Sequence, residues 1–145
     1  MSAQTEQLVR DAMLPDPHAL DAGASAQEAG EALMRPEVRA VLVCDDGRLV
    51  GVITRKTLVR EVVAPGRDPR TTTLGEIAEP PNATIESAMP LAQAFAFLEE
   101  QDFERVPVVE NGRLVGVLSR SAVQRRLAED DPPSGGDEPG LELGE

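Results

Sequence analysis

Six residues occur twice without a change: Gly47-Arg48-Leu49-Val50-Gly51-Val52 returns as Gly112-Arg113-Leu114-Val115-Gly116-Val117, sixty-five positions later. A repeat of this kind means two copies of one supersecondary unit, because so small a unit rarely buries its own apolar face and needs its twin to complete a core. At the same offset Val9 matches Leu74, Asp11 Glu76, Pro15 Pro80, Leu20 Ile85, Ala29 Ala94, Leu33 Leu98, Val41 Val106, Val43 Val108 and Arg55 Arg120. The chain accordingly divides into a lead (1–7), a first repeat (8–66), a linker (67–73), a second repeat (74–128) and an acidic tail (129–145). A duplicated unit also duplicates whatever cleft it lines.

With 145 residues the chain fits one compact domain that buries about two-thirds of the surface its unfolded form exposes. Trp and Tyr are absent and Phe occurs three times, so Val, Leu, Ile, Met and Ala must build the core. No apolar run approaches the roughly 20 residues of a membrane span, and the opening Met-Ser-Ala-Gln-Thr-Glu lacks the basic start and apolar stretch of a signal peptide. The expectation is a soluble cytoplasmic protein. The net charge is −12, and seven acidic residues follow the last basic one, Arg126. Such a balance is not built to coat nucleic acid or an anionic membrane. The tail combines Pro, Gly and acid with almost nothing to bury and is expected to be disordered.

Cys44 is the sole cysteine, which excludes an intramolecular disulfide and any cysteine-cluster metal site. Its repeat partner is Val109, in an apolar run, so it reads as a packing thiol. His18, the sole histidine, sits beside a proline turn and lacks the supporting groups of Ser-His-Asp or Cys-His chemistry. No acid–base or nucleophile constellation is visible, and an enzyme acting alone is not expected.

Within each repeat the apolar period changes in a fixed order. Ser25 to Met34 is helical in spacing, with Ser25 as N-cap and Glu28 completing a capping box; Pro90 to Glu100 is its counterpart. Ala40 to Cys44 and Leu49 to Thr54 are β-branched runs joined by Asp46-Gly47, and Asn111-Gly112 repeats the turn, so each copy contains a hairpin. Lys56 to Val63 and Ser121 to Ala128 then read as helices, and Val9 to Met13 and Leu74 to Ala78 as one-turn lead-in helices. Short strands at Ala19-Leu20 and Thr84-Ile85 give a β-α-β-β-α order twice. The fold class expected is α/β in the α+β sense, with two pseudo-twofold-related units packed sheet against sheet and clefts between them.

Val9-Arg10-Asp11-Ala12-Met13, the apolar strand Val106-Pro107-Val108-Val109-Glu110, and the closing strands Gly51-Val52-Ile53-Thr54 and Gly116-Val117-Leu118-Ser119 together resemble the CBS domain pair. The resemblance covers nearly all of residues 8–128. It implies a regulatory module, frequently dimeric, that takes AMP, ADP, ATP or S-adenosylmethionine as a regulatory ligand; no further cofactor and no metal is implied.

The family's ligand motif continues as Thr/Ser-x-x-Asp, the hydroxyl facing phosphate or ribose and the Asp accepting from ribose hydroxyls. This chain has Thr54-Arg55-Lys56-Thr57 and Ser119-Arg120-Ser121-Ala122, so both hydroxyls stand and both aspartates are replaced. Carried over by position, the resemblance sets Thr54, Arg55, Lys56 and Thr57 against Met89, Ala94, Phe103, Glu104 and Arg105, with Val52 against the base. In a weaker second cleft Ser119, Arg120 and Ser121 would face Ala24, Ala29, Val38, Arg39 and Ala40, with Val117 in the matching role. Arg55, Lys56 and Arg105 read either as phosphate contacts or as solvated surface.

Two functions follow. One is a stand-alone sensor of an adenine nucleotide or related phosphorylated metabolite that signals to an effector protein. The other is a ligand-free dimerisation or interaction scaffold. A homodimer is expected in either case, with Leu58, Val59, Val62 and Val63 together with Val123 and Leu127 supplying its apolar face.

Overall fold

The computed structural model describes residues 6–15 and 17–130. Of the tail expected to be disordered over 129–145, residues 129 and 130 instead close the last helix, and 131–145 lie outside the described residues. In chain order the elements are α1 (Val9–Ala12), β1 (Leu14–Pro15), β2 (Ala19–Asp21), α2 (Ala26–Ala32), β3 (Val41–Asp45), β4 (Arg48–Ile53) and α3 (Arg55–Leu58), which runs on as a π-helical turn (Val59–Val63). The second copy follows as α4 (Leu74–Ile77), β5 (Ile85–Glu86), α5 (Leu91–Gln101), β6 (Arg105–Glu110), β7 (Arg113–Ser119) and α6 (Arg120–Asp130). The expected α+β order appears twice.

Local chemistry sets the boundaries. The Ser25 hydroxyl accepts from the Glu28 N–H at 3.2 Å, starting α2. The Asp46-Gly47 and Asn111-Gly112 pairs each hold two successive positive φ angles, 54° and 83° in one and 54° and 82° in the other, as a two-residue type I′ hairpin needs. In both hairpins the register slips by one residue after Val43 and Val108, a bulge that leaves Val50 and Val115 without a partner. The thioether and apolar residues then divide into two separate cores, one around Ile53, Val43 and Leu33 and one around Leu118, Val108 and Leu98.

The two sheets do not stack face on face as the sequence reading had it. Strand order is β2-β3-β4-β7-β6-β5, a single sheet joined where β4 meets β7 at Arg48 and Arg113. The reason is polar: the Leu49 N–H donates to the Gly112 carbonyl at 3.2 Å and the Leu114 N–H to the Gly47 carbonyl at 3.0 Å. Edge groups that water would otherwise satisfy are thus paired symmetrically. β2 and β5 lie parallel to β3 and β6, each reached through its helix.

More consequential is where the lead-ins go. Val9 of α1 is fully buried in the second repeat's core, with Ile85, Leu91 and Leu98, while Leu74 and Ile77 of α4 are buried in the first repeat's core. The backbone crosses too. The Val9 N–H donates to the Met89 carbonyl (2.9 Å) and the Leu91 N–H to the Gln7 carbonyl (2.8 Å). β1 pairs with β7 at Leu14 and Val117, and in the mirror position the Val52 and Glu79 backbones exchange hydrogen bonds of 2.8 and 3.0 Å. Each repeat therefore lends its first segment to the other.

The exchange explains the repeated second glycine. A Cβ at Gly51 would sit 2.7 Å from the Ala78 Cβ and 2.8 Å from the Glu79 carbonyl oxygen. At Gly116 it would sit 2.5 Å from Met13 Sδ and 2.8 Å from the Leu14 carbonyl oxygen. Backbone lies against backbone at both crossings, and only hydrogen fits between them. α4 is held in addition by Glu76, whose carboxylate accepts from the Thr73 N–H (3.1 Å) and hydroxyl (2.8 Å) and pairs with Arg67. Those bonds, the Thr73 N–H first, hold the Glu76 carboxyl below its ordinary range.

Gly51→Ala and Gly116→Ala should each destabilise the fold by about 2–3 kcal/mol, the upper part of the usual overpacking range, because the obstacle is backbone. Chemical denaturation measures it. Gly66→Ala should cost less: nothing lies within 4 Å of its added Cβ, so only the left-handed φ of 78° opposes it. A neutral Gly51→Ala would contradict the close crossing.

Candidate functional site

The two ligand motifs sit where a hairpin's second strand turns into a helix. Thr54 is the N-cap of α3: its hydroxyl accepts from the Thr57 N–H at 3.2 Å, and the Thr57 hydroxyl accepts from the Thr54 N–H at 3.0 Å. The two hydroxyls are themselves 3.0 Å apart. Thr57 is 0 % exposed. It stands as the far half of a capping box, facing inward, with no hydroxyl presented to a ribose. Ser119 does the same work at α6, accepting from the Ala122 N–H at 3.1 Å, where the alanine supplies no reciprocal acceptor.

Arg55 is anchored to its own repeat. Its guanidinium donates to the carbonyls of Leu33 (2.6 Å) and Arg35 (2.8 Å), at the open end of α2. α2 ends in a right-handed residue, Leu33, and a cationic donor there satisfies carbonyls and faces the negative end of the helix. α5 needs no such help because Asp102 closes it in the left-handed conformation, φ 58°. The matching arginine turns to carboxylates instead: Arg120 lies 3.3 Å from Asp102 and 3.8 Å from Glu104. Its backbone N–H donates to the Glu104 carbonyl at 2.8 Å.

These contacts regroup the residues expected in each cleft. Val41 pairs with Ile53 and Arg105 with Ser119, so the residues before each first hairpin strand must lie beside the residues after its second. Thr54 consequently follows beside Ala40 in its own repeat, with Arg55 reaching back to Leu33 and Arg35, and Ser119, Arg120 and Ser121 stand with Glu104 and Arg105, the Ser121 hydroxyl donating to Glu104 at 3.3 Å. The sequence reading had crossed these two sets, and hairpin register overrules it. What does cross is the lead-in: Val52 is bonded to Glu79 and Val117 is paired with Leu14.

The remaining positions divide by burial. Ala29 and Ala94 are fully buried in the two cores and wall no cleft. Phe103 packs half-buried on the second core, 6.0 Å from the Phe97 ring in an edge-to-face pair. Ala24 and Met89 act through backbone, their carbonyls accepting from Leu74 (2.9 Å) and Val9 (2.9 Å) of the crossed lead-ins. Arg39, Lys56 and Arg105 are exposed. The Cys44 thiol is half-buried, and burial, followed by the nearby Asp21 carboxylate, raises its pKa above the ordinary thiol value. This agrees with a packing thiol.

A groove of about 470 Å³ lies elsewhere, between α2 and the α3 segment, lined by Ala26, Gly30, Met34, Leu58, Val62 and Val63 among others. Met34 and Val63 of its lining are 79 and 69 % exposed and Val59, on the same helical segment as Val63, is 57 % exposed, whereas Val62 and Val123 are buried in their own cores. Of the apolar face expected from sequence, the exposed part belongs to the first repeat. A π-helical turn runs directly beneath it.

Two matched repeats with exchanged lead-ins and twin capped motifs fit one profile: that of the CBS domain matches residues 9–64 and again 74–129. The chain belongs to the CBS domain family. Hypoxic response protein 1 of Mycobacterium tuberculosis is 31 % identical over 102 residues, 70 % of this chain and 71 % of that protein. A crystal structure of Hypoxic Response Protein I with two coordinated zinc ions superposes with a TM-score of 0.69 at 26 % identity, over 83 % of this chain and 98 % of that one. CBSX2 in complex with AMP gives 0.66 at 27 % identity, over 86 % and 98 %; the same protein from Arabidopsis thaliana, described as a CBS-pair protein, gives 0.69 at 26 %, over 90 % and 100 %. Among the described residues of this CBS pair no group of three or more His, Cys, Asp or Glu is gathered to hold a metal, and no helix is long and apolar enough to cross a membrane.

The caps make a quantitative prediction. Ser119→Ala should cost about 1 kcal/mol, the usual worth of an N-cap. Thr57→Val should cost about 2 kcal/mol, because it leaves the Thr54 N–H facing a buried methyl. Urea denaturation decides it. A stabilising Thr57→Val would return that hydroxyl to the cleft.

Proposed function

We propose that this CBS pair is a regulatory module that binds an adenine nucleotide or related phosphorylated metabolite beside Thr54 and relays its occupancy to a partner protein. The observation that carries the reading is the Val52–Glu79 bridge: the strand that would meet the base is bonded to a segment of the other repeat. A ligand there loads one repeat and the lead-in of its twin together, so binding can shift their relative position. The AMP complex of CBSX2 supports the ligand class.

A second reading, a dimeric scaffold without ligand, draws on a different observation. Thr54, Thr57 and Ser119 spend their hydroxyls on helix caps, and Met34, Val59 and Val63 leave an apolar face uncovered. Two copies meeting on that face would cover it.

Isothermal titration with AMP, ADP, ATP and S-adenosylmethionine, alongside sedimentation of the same samples, separates the two. The sensor reading expects saturable heat from at least one ligand, weakened about tenfold or more by Thr54→Ala through loss of a ligand hydrogen bond and of the cap that shapes the site. Heat from none of them, with a dimer that Val63→Glu dissociates, would leave the scaffold.

A further inference from the structure

The two clefts fall at corresponding places in the repeat and carry opposite charge. At the offset of the repeat, Arg35 corresponds to Glu100, Glu37 to Asp102, Arg39 to Glu104 and Lys56 to Ser121. Around the first motif the chain accordingly carries Arg35, Arg39, Arg55 and Lys56 with Glu37, and around the second Glu100, Asp102 and Glu104 with Arg105 and Arg120. All except Arg120 are exposed, and Arg120 is partly so. Glu79, bonded through its backbone to Val52 beside the first motif, has its carboxylate paired with Arg60.

The equivalent arginines sharpen the contrast. Arg55 donates to two neutral carbonyls, so its charge is uncompensated, whereas Arg120 is flanked by two carboxylates. Neither Arg35, Arg39 nor Lys56 forms an ion pair among the described residues. The rest of the protein is acidic, so this is a local concentration of positive charge held in place by one fixed guanidinium.

Resting on the sensor reading, we infer that the first cleft selects a polyphosphorylated nucleotide over a cationic one and that each chain binds one ligand. Arg39 and Lys56 meet the outer phosphates, while Arg55 fixes the turn that carries Arg35 and Arg39 and adds its own field. The carboxylates of the second cleft repel the same ligand. S-adenosylmethionine bears a sulfonium cation and suffers the opposite: the first cleft repels it. Occupancy is then asymmetric in a module built from two copies of one unit.

The test is calorimetry on the full chain with ATP, AMP and S-adenosylmethionine at low and at physiological ionic strength. Expected are one ATP per chain, weaker AMP, an ATP isotherm that excess S-adenosylmethionine leaves unchanged, and ATP affinity that falls as salt rises. Arg39→Gln with Lys56→Gln should weaken ATP about tenfold or more, two charge-assisted contacts being lost, while thermal melting shows the fold intact. Glu100→Arg, Glu104→Arg and Ser121→Lys together should raise the count to two ATP per chain. Two ATP on the wild-type chain, S-adenosylmethionine displacing ATP from its site, or an Arg39 and Lys56 double variant of unchanged affinity would each overturn the charge selection and leave the sensor reading standing. No heat from any ligand overturns both.

Discussion

The exchange of lead-in segments across the β4–β7 joint is the constraint on which the rest of the structure depends. Each core is completed by buried side chains from the other repeat, Val9 in one direction and Leu74 with Ile77 in the other. Burying a Val, Leu or Ile side chain is worth about 1.5–3 kcal/mol, so neither repeat holds its full core without its twin. The glycines at 51 and 116 follow from the same exchange, since the crossing chain lies directly against them. So does the single sheet, because the two hairpin ends that the exchange brings together satisfy each other's backbone groups.

Much of this was legible in the residues. The duplication, both hairpins and their turns, the Ser25 cap and the one-turn lead-ins follow from spacing and turn chemistry, which act over a few residues. The destination of the lead-ins was not legible, because a repeat tells what unit recurs and not which copy's core receives Val9. The cleft grouping was wrong for a related reason: it followed the family's cross-repeat pattern rather than the hairpin's own register. Counting outward from Asp46-Gly47 would have set Ala40 beside Ile53, one residue short of Thr54, the bulge at Val50 making up the difference. The roles of Arg35, Glu100 and Asp102 could also have been read from the offset. The π-helical turn beneath Val59 and Val63 has no sequence signal that we can name.

The two repeats of this CBS pair are not identical where their motif helices begin. The hairpins of the two repeats match residue for residue in turn and bulge, while the helices before them differ: α2 is capped by Ser25 and ends at a right-handed Leu33, and α5 starts at Pro90 and ends at a left-handed Asp102. The helices after them differ too: one motif helix starts on a complete threonine capping box, the other on a serine with alanine opposite. One arginine caps a helix, and its twin sits among acids. In the function proposed for this chain, a ligand beside Thr54 would act through the segment that the second repeat lends to the first, the Val52–Glu79 bridge.

The central claim is the exchange itself, and methyl NOE spectroscopy on a Val, Leu and Ile labelled sample tests it most directly. The account predicts cross-peaks from Val9 to second-repeat methyls such as Ile85 and Leu91, and from Leu74 and Ile77 to first-repeat methyls such as Ile53 and Val43. Cross-peaks from Val9 to Ile53 and Val41, with Leu74 reporting on Leu118, would show that each lead-in returns to its own repeat and would contradict it.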